Sequence, residues 1–184
     1  MTLLQAAALL PLLLSEAAAG RPEPLLAQAE QLFGSLGDEL AHGMELSVIC
    51  AEDADLLRAR PQDRDTLMGP ALPDLIAAQC AVWPRGARPE DFKQPVVSDK
   101  PVLLLSGQYD PVTPPRYADQ VAATLSNARH LVARGQGHTP LNVGCMPRLL
   151  KAFVESLEPK ALDAACLEAL GDTPFFLDYQ GPAP

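Results

Sequence analysis

Aromatic side chains are scarce: five Phe, three Tyr and one Trp make up 5% of the 184 residues. That is too few for a platform on which nucleic-acid bases stack. Positive charge is also short, with 14 Lys and Arg against 23 Asp and Glu, a net charge of −9. Such a balance cannot neutralise a phosphate backbone or an anionic bilayer, which argues against nucleic-acid and membrane partners. No Cys-x-x-Cys and no Cys/His pair at zinc spacing occurs, so neither a metal nor any other cofactor is expected. Long apolar runs are missing too. The opening stretch is interrupted by Pro11 and followed by Glu16, too short to span a bilayer. It ends in small residues, Ala17 to Gly20, as a secretory leader does, yet no Lys or Arg precedes Arg21. A helix, buried or amphipathic, suits it better than a leader.

What remains is an acidic globular chain, 48% hydrophobic and 20% charged, long enough for one domain with a buried core. Its 19 prolines are about twice the average usage and cut the chain into short elements. The four cysteines, Cys50, Cys80, Cys145 and Cys166, allow two disulfides in three connectivities. The sequential pairing, Cys50 with Cys80 and Cys145 with Cys166, closes loops of a few tens of residues and is favoured. Each bond would stabilise by roughly 3–4 kcal/mol on the chain-entropy model. The alternative is four buried thiols packed as small hydrophobes.

The chain changes character near residue 100. Before it, helices are predicted over roughly 3–18, 24–33, 53–60 and 71–80, with Leu25, Leu26, Ala29, Leu32 and Phe33 at helical spacing. Leu46–Cys50 reads as a short strand or buried connector, and Trp83–Lys100 as an ordered linker. Beyond it, Val102–Ser106 is a continuous apolar run bounded by Pro101 and Gly107, the pattern of a strand covered on both faces. A helix follows with Tyr117, Val121 and Leu125 along one face, and then a second strand, His130–Ala133. Strand, helix and strand at this spacing make a crossover between parallel strands. A helix carrying Met146, Leu149, Leu150, Phe153, Val154 and Leu157 comes next, with Pro147 in its first turn, and a last one covers about 160–170. Two parallel strands are not a stable sheet alone. The chain is therefore expected to be part of a larger domain.

Two loops leave the carboxyl ends of these strands, where doubly wound sheets bind ligands. One carries Asp110 and the other His138, each near glycines that permit tight turns: Gly107 for the first, Gly135 and Gly137 for the second. An Asp that accepts the Nδ1–H of an imidazole fixes its tautomer and leaves Nε2 as a base. The order Asp then His is the latter part of the Ser, Asp, His order of one hydrolase class. Asp110 could instead only shape its turn before Pro111, and His138 only satisfy a backbone carbonyl.

Pro101–Pro115 resembles the acid strand and loop of α/β-hydrolases, and Gly135-Gln-Gly-His138 resembles their histidine loop. Cys50-Ala-Glu-Asp53, Cys80-Ala-Val-Trp-Pro84, Cys145 and Leu162-Asp-Ala-Ala-Cys166 narrow the likeness. Together they resemble the carboxyl-terminal half of the tripeptidyl-aminopeptidase-like and proline-iminopeptidase-like hydrolases. The resemblance implies an α/β class: a partial α/β-hydrolase fold, the last parallel strands and helices of the sheet, preceded by a helical cap. Residues 1–90 would be the cap or lid segment and 91–184 the end of the catalytic domain. It also implies both sequential disulfides, an extracytoplasmic compartment, Asp110 and His138 as catalytic acid and base, and Glu52 as a carboxylate for a substrate's free amino terminus. His42 and His130 are expected to be structural.

One departure qualifies the likeness. The family's nucleophile sits in Gly-x-Ser-x-Gly, and none of the serines at 15, 35, 47, 98, 106, 126 and 156 has that setting. The expected function is therefore the carboxyl-terminal portion of a serine exopeptidase acting on short peptides, inactive without its nucleophile. Its partners would be a small peptide and the missing amino-terminal half, in the same or another chain. A general esterase or lipase of the same superfamily, and a non-catalytic peptide-binding remnant, are the alternatives.

Overall fold

A computed structural model of the chain describes residues 3–39, 41–58, 60–66 and 69–182. The described helices are α1 (Leu3–Ala18), α2 (Glu23–Glu39), α3 (His42–Glu52), α4 (Ala71–Val82), α5 (Pro115–Ala122) and α6 (Met146–Ser156). Two strands, β1 (Val102–Gly107) and β2 (Ala128–Ala133), complete them. The chain divides into two compact units, one of Met1–Ala29 with Pro95–Pro184 and the other of Glu30–Gln94.

The first unit holds the sheet. β1 and β2 are parallel, Val102 opposite Ala128 through to Gly107 opposite Ala133, and α5 makes the crossover between them. Successive side chains alternate between the faces of a strand. Leu103, Leu105, Leu131 and Ala133 thus share one face and pack with Met146, Leu149, Leu162 and Leu167 into the core. His130 and Ser106 lie on the other face, toward α5. That helix differs from expectation: Tyr117 and Val121 are about half exposed, and no α5 side chain is fully buried. Pro147 opens α6 in its first turn, where a missing N–H costs nothing. Leu157 closes it in the left-handed region, φ 56°, its N–H on the Phe153 carbonyl at 2.7 Å. α1 belongs to this unit as well; Ala8 and Leu13 are buried, and the Ala8 carbonyl accepts the Phe176 N–H at 3.0 Å.

The helix expected over 160–170 is replaced by two 3₁₀ turns, Pro159–Ala161 and Ala165–Ala169. Arg129 accounts for the break, because its Nη1 takes the carbonyls of Pro159, Lys160 and Leu162, which an α-helix would need for its own N–H groups. Asp163 Oδ1 accepts the Ala165 N–H at 3.1 Å and starts the second turn.

In the second unit, Leu46–Cys50, expected as strand or connector, is instead the body of α3. Tertiary contact outweighs the β preference of Val48 and Ile49. Cys50 is disulfide-bonded to Cys80 of α4, and Ser47 Oγ accepts the Trp83 indole N–H at 3.1 Å. The helix expected over 53–60 does not form. α3 stops at Asp53, and Pro61 biases the residue before it away from helix. A short 3₁₀ turn, Pro61–Asp65, follows; residue 59 lies outside the described residues.

Candidate active site

β1 and β2 end side by side, and the loops beyond them are stitched together by backbone geometry. Gln108 N–H donates to the Ala133 carbonyl at 3.0 Å, and Tyr109 N–H to the Gln136 carbonyl at 2.8 Å. The Gln108 side chain returns the bond, its Oε1 accepting the Gly135 N–H at 2.9 Å. This closeness needs glycine. A Cβ on Gly107 would collide with the carbonyl oxygens of Gly137 and Gln136. Gly135, at φ +67°, lies equally tight against the Gly171 carbonyl.

Asp110 and His138 meet at the mouth of these loops. His138 Nδ1 lies 2.9 Å from Asp110 Oδ2; the Asp110 side chain is 3% exposed and the imidazole 45%. Asp110 Oδ1 accepts the backbone N–H groups of Val112 at 2.9 Å and Thr113 at 2.8 Å, and Oδ2 accepts the Thr113 hydroxyl at 2.8 Å. Burial pushes the Asp110 carboxyl up. The hydrogen bonds from Thr113, His138 and Val112 outweigh it and hold the group well below the usual carboxylate range. An ionised carboxylate on Nδ1–H holds the imidazole in one tautomer. Nε2 has no hydrogen-bond partner among the described residues, so its lone pair is open to a proton donor. Thr139, next to His138, sits at φ 64°, a conformation costly for a β-branched residue.

The structure thus brings Asp110 and His138 together. Thr113 is the member that sequence reasoning missed; its signal was an Asp followed three residues later by Thr, the spacing of a side-chain-capped turn. Glu52 lies in the other unit at the end of α3, partly buried. Its carbonyl takes the Arg88 guanidinium, and its carboxylate has no hydrogen-bond partner among the described residues. All four cysteines pair as the resemblance implied, Cys50–Cys80 and Cys145–Cys166, with Cα separations of 5.1 and 6.3 Å. Both bonds are compatible with an extracytoplasmic location. Ser106 is buried and bonded to His130, not to His138. Among the described residues no cluster could hold a metal ion, and no helix is long and apolar enough to cross a membrane. A cavity of about 470 Å³ lies beside the acid loop, lined by Ala7, Ala8, Tyr109, Gly135, Asp172 and Phe175 among others.

No curated protein and no solved structure matches the chain. The family model described as TAP-like protein matches residues 68–166, a stretch that contains α4, both strands, α5, α6 and the loops of Asp110 and His138. That match covers more than half of the chain, and the parallel pair with its crossover helix agrees with it. The chain belongs to the TAP-like protein family of the α/β-hydrolase superfamily.

Proposed function

We propose that this chain supplies the acid and the base of a serine hydrolase that removes residues from the amino-terminal end of short peptides. The observation that carries the reading is the 2.9 Å contact between His138 Nδ1 and the buried Asp110 carboxylate, in loops at the carboxyl ends of adjacent parallel strands. Nε2 of His138 would take the proton of a serine hydroxyl as it attacks the scissile carbonyl, then return it to the leaving amine. Asp110 would stabilise the imidazolium between those steps. The serine would come from the rest of the sheet, laid against the open edge of β1 and contributed by the same or another chain. Glu52 is proposed as the carboxylate that takes the substrate's ammonium group.

The test uses the product of the complete reading frame together with any chain that co-purifies with it. Aminoacyl and tripeptidyl amides are compared with p-nitrophenyl esters. The reading expects turnover of the peptide amides and a loss of about 10³-fold or more in His138→Ala. It also expects Glu52→Gln to raise KM for peptides while leaving esters unchanged. Turnover of esters alone would favour a general esterase, and saturable peptide binding without turnover a binding module. Near-normal peptidase activity of His138→Ala would refute the proposal.

A further inference from the structure

A second Ser–His–Asp chain runs through the sheet face opposite the core. His130 Nε2 lies 2.9 Å from Ser106 Oγ, and His130 Nδ1 lies 2.9 Å from Asp119 Oδ1. Ser106 is 4% exposed, too enclosed for attack on a substrate, and the His130 side chain is 9% exposed. Only Asp119, on α5, reaches solvent. A buried imidazole needs a partner on each nitrogen, and this one has both.

The two ends of that chain bracket the acid loop. Ser106 is the last residue of β1 before Gly107, and Asp119 is in the second turn of α5. Between them lie Asp110 and Thr113, and Thr113 is joined to α5 through Pro114 and Pro115, whose rings fix φ. Thr113 donates its hydroxyl to Asp110 Oδ2, and the Thr113 hydroxyl oxygen itself lies 3.3 Å from His138 Nδ1. A shift of α5 would therefore reach Asp110 through Thr113. No α5 side chain is fully buried, so packing alone anchors this helix weakly.

We propose that His130 is a positioning residue, which ties α5 to β1 through Asp119 and Ser106 and so holds the acid loop in register for the Asp110–His138 contact. The inference rests on reading Asp110 and His138 as the acid and base of the site. The tie survives a change of protonation. In the neutral ring Nδ1–H donates to Asp119 and Nε2 accepts from the Ser106 hydroxyl; in the imidazolium Nε2–H donates to the same oxygen. His130 therefore serves as a fixed strut.

The test is the hydrogen-bonded Nδ1–H resonance of His138, read in the chain labelled with [¹⁵N]histidine by solid-state NMR, which needs no monomer. His130→Asn keeps a donor near Asp119 and loses the Ser106 link; His130→Gln does the reverse. Both variants, with Ser106→Ala and Asp119→Ala, are expected to lose at least half of the ordered His138 signal. Ser106→Thr and Asp119→Asn, which keep a partner at each end, are expected to restore it. Leu149→Ala, which destabilises the core on the other face, is expected to keep it. An undiminished His138 signal in all four disrupting variants would overturn the inference alone. Its absence from the unaltered chain would overturn the Asp110–His138 contact, and the inference with it.

Discussion

Removing the Cys145–Cys166 disulfide is the perturbation whose size the structure sets most closely. The bond joins the residue that opens α6 to the 3₁₀ turn Ala165–Ala169, and Met146 and Leu167 beside it are both core residues. With a sequence separation of 21 between the cysteines, the chain-entropy relation gives about 3.3 kcal/mol of stabilisation. The separation of 30 in Cys50–Cys80 gives about 3.6 kcal/mol on the same relation. Both cysteines of the shorter loop are replaced by Ala, and peptide-level hydrogen exchange is followed over α6. At 1.36 kcal/mol per tenfold, opening of that helix should become about 250-fold more frequent. Exchange in α3 and α4 should respond instead to loss of Cys50–Cys80, because each bond lies within its own compact unit. A change below tenfold in α6 would contradict that figure, since it would mean that the packing of Met146, Leu149 and Leu167 holds the segment without the crosslink.

Three further predictions test the surroundings of the site. Gly107→Ala puts a methyl group against the backbone of the histidine loop and should cost about 2–3 kcal/mol by thermal denaturation; an unchanged Tm would contradict the stitching of the two loops. Because folding lowers the Asp110 pKa, its contribution is complete above the unfolded value and fades as pH falls below about 4. Asp110→Asn should therefore flatten the loss of stability in acid titrations below pH ~4, and an identical acid profile would count against the hydrogen bonds to this carboxylate. The described sheet has only two strands, with Val96 and Val97 exposed just before β1, so the isolated chain should self-associate through its open edge. Elution as a 19.6 kDa monomer would contradict that.

The second half of the fold was legible because its signals are local. Val102–Leu105 is uniformly apolar, Pro101 and Gly107 mark the ends of the strand, and Asp110 and His138 follow glycine-marked strand ends. The first half was less legible because its structure depends on distant partners. α3 is held by Cys80 and Trp83, some thirty residues away, which no window over Leu46–Cys50 contains. The lost helix over 160–170 has the same origin, since Arg129 takes its carbonyls from a strand thirty residues upstream. At the site, the Asp and His were visible as residue types in the right order. Thr113 was not, because a hydroxyl that holds a carboxylate has no spacing rule stronger than a turn preference. His130 was legible as structural, whereas its links to Ser106 and Asp119 emerged only from strand register and helix placement.

The central claim is that Asp110 orients His138 for proton transfer. Its most direct test is kcat/KM of Asp110→Asn in the complete reading-frame product on a peptide amide, with folding checked by circular dichroism. A loss of about 10³–10⁴-fold at neutral pH with the fold intact is expected, because the amide permits the wrong tautomer and leaves the transition-state charge on the ring uncompensated. A folded variant within tenfold of the unaltered protein would contradict it.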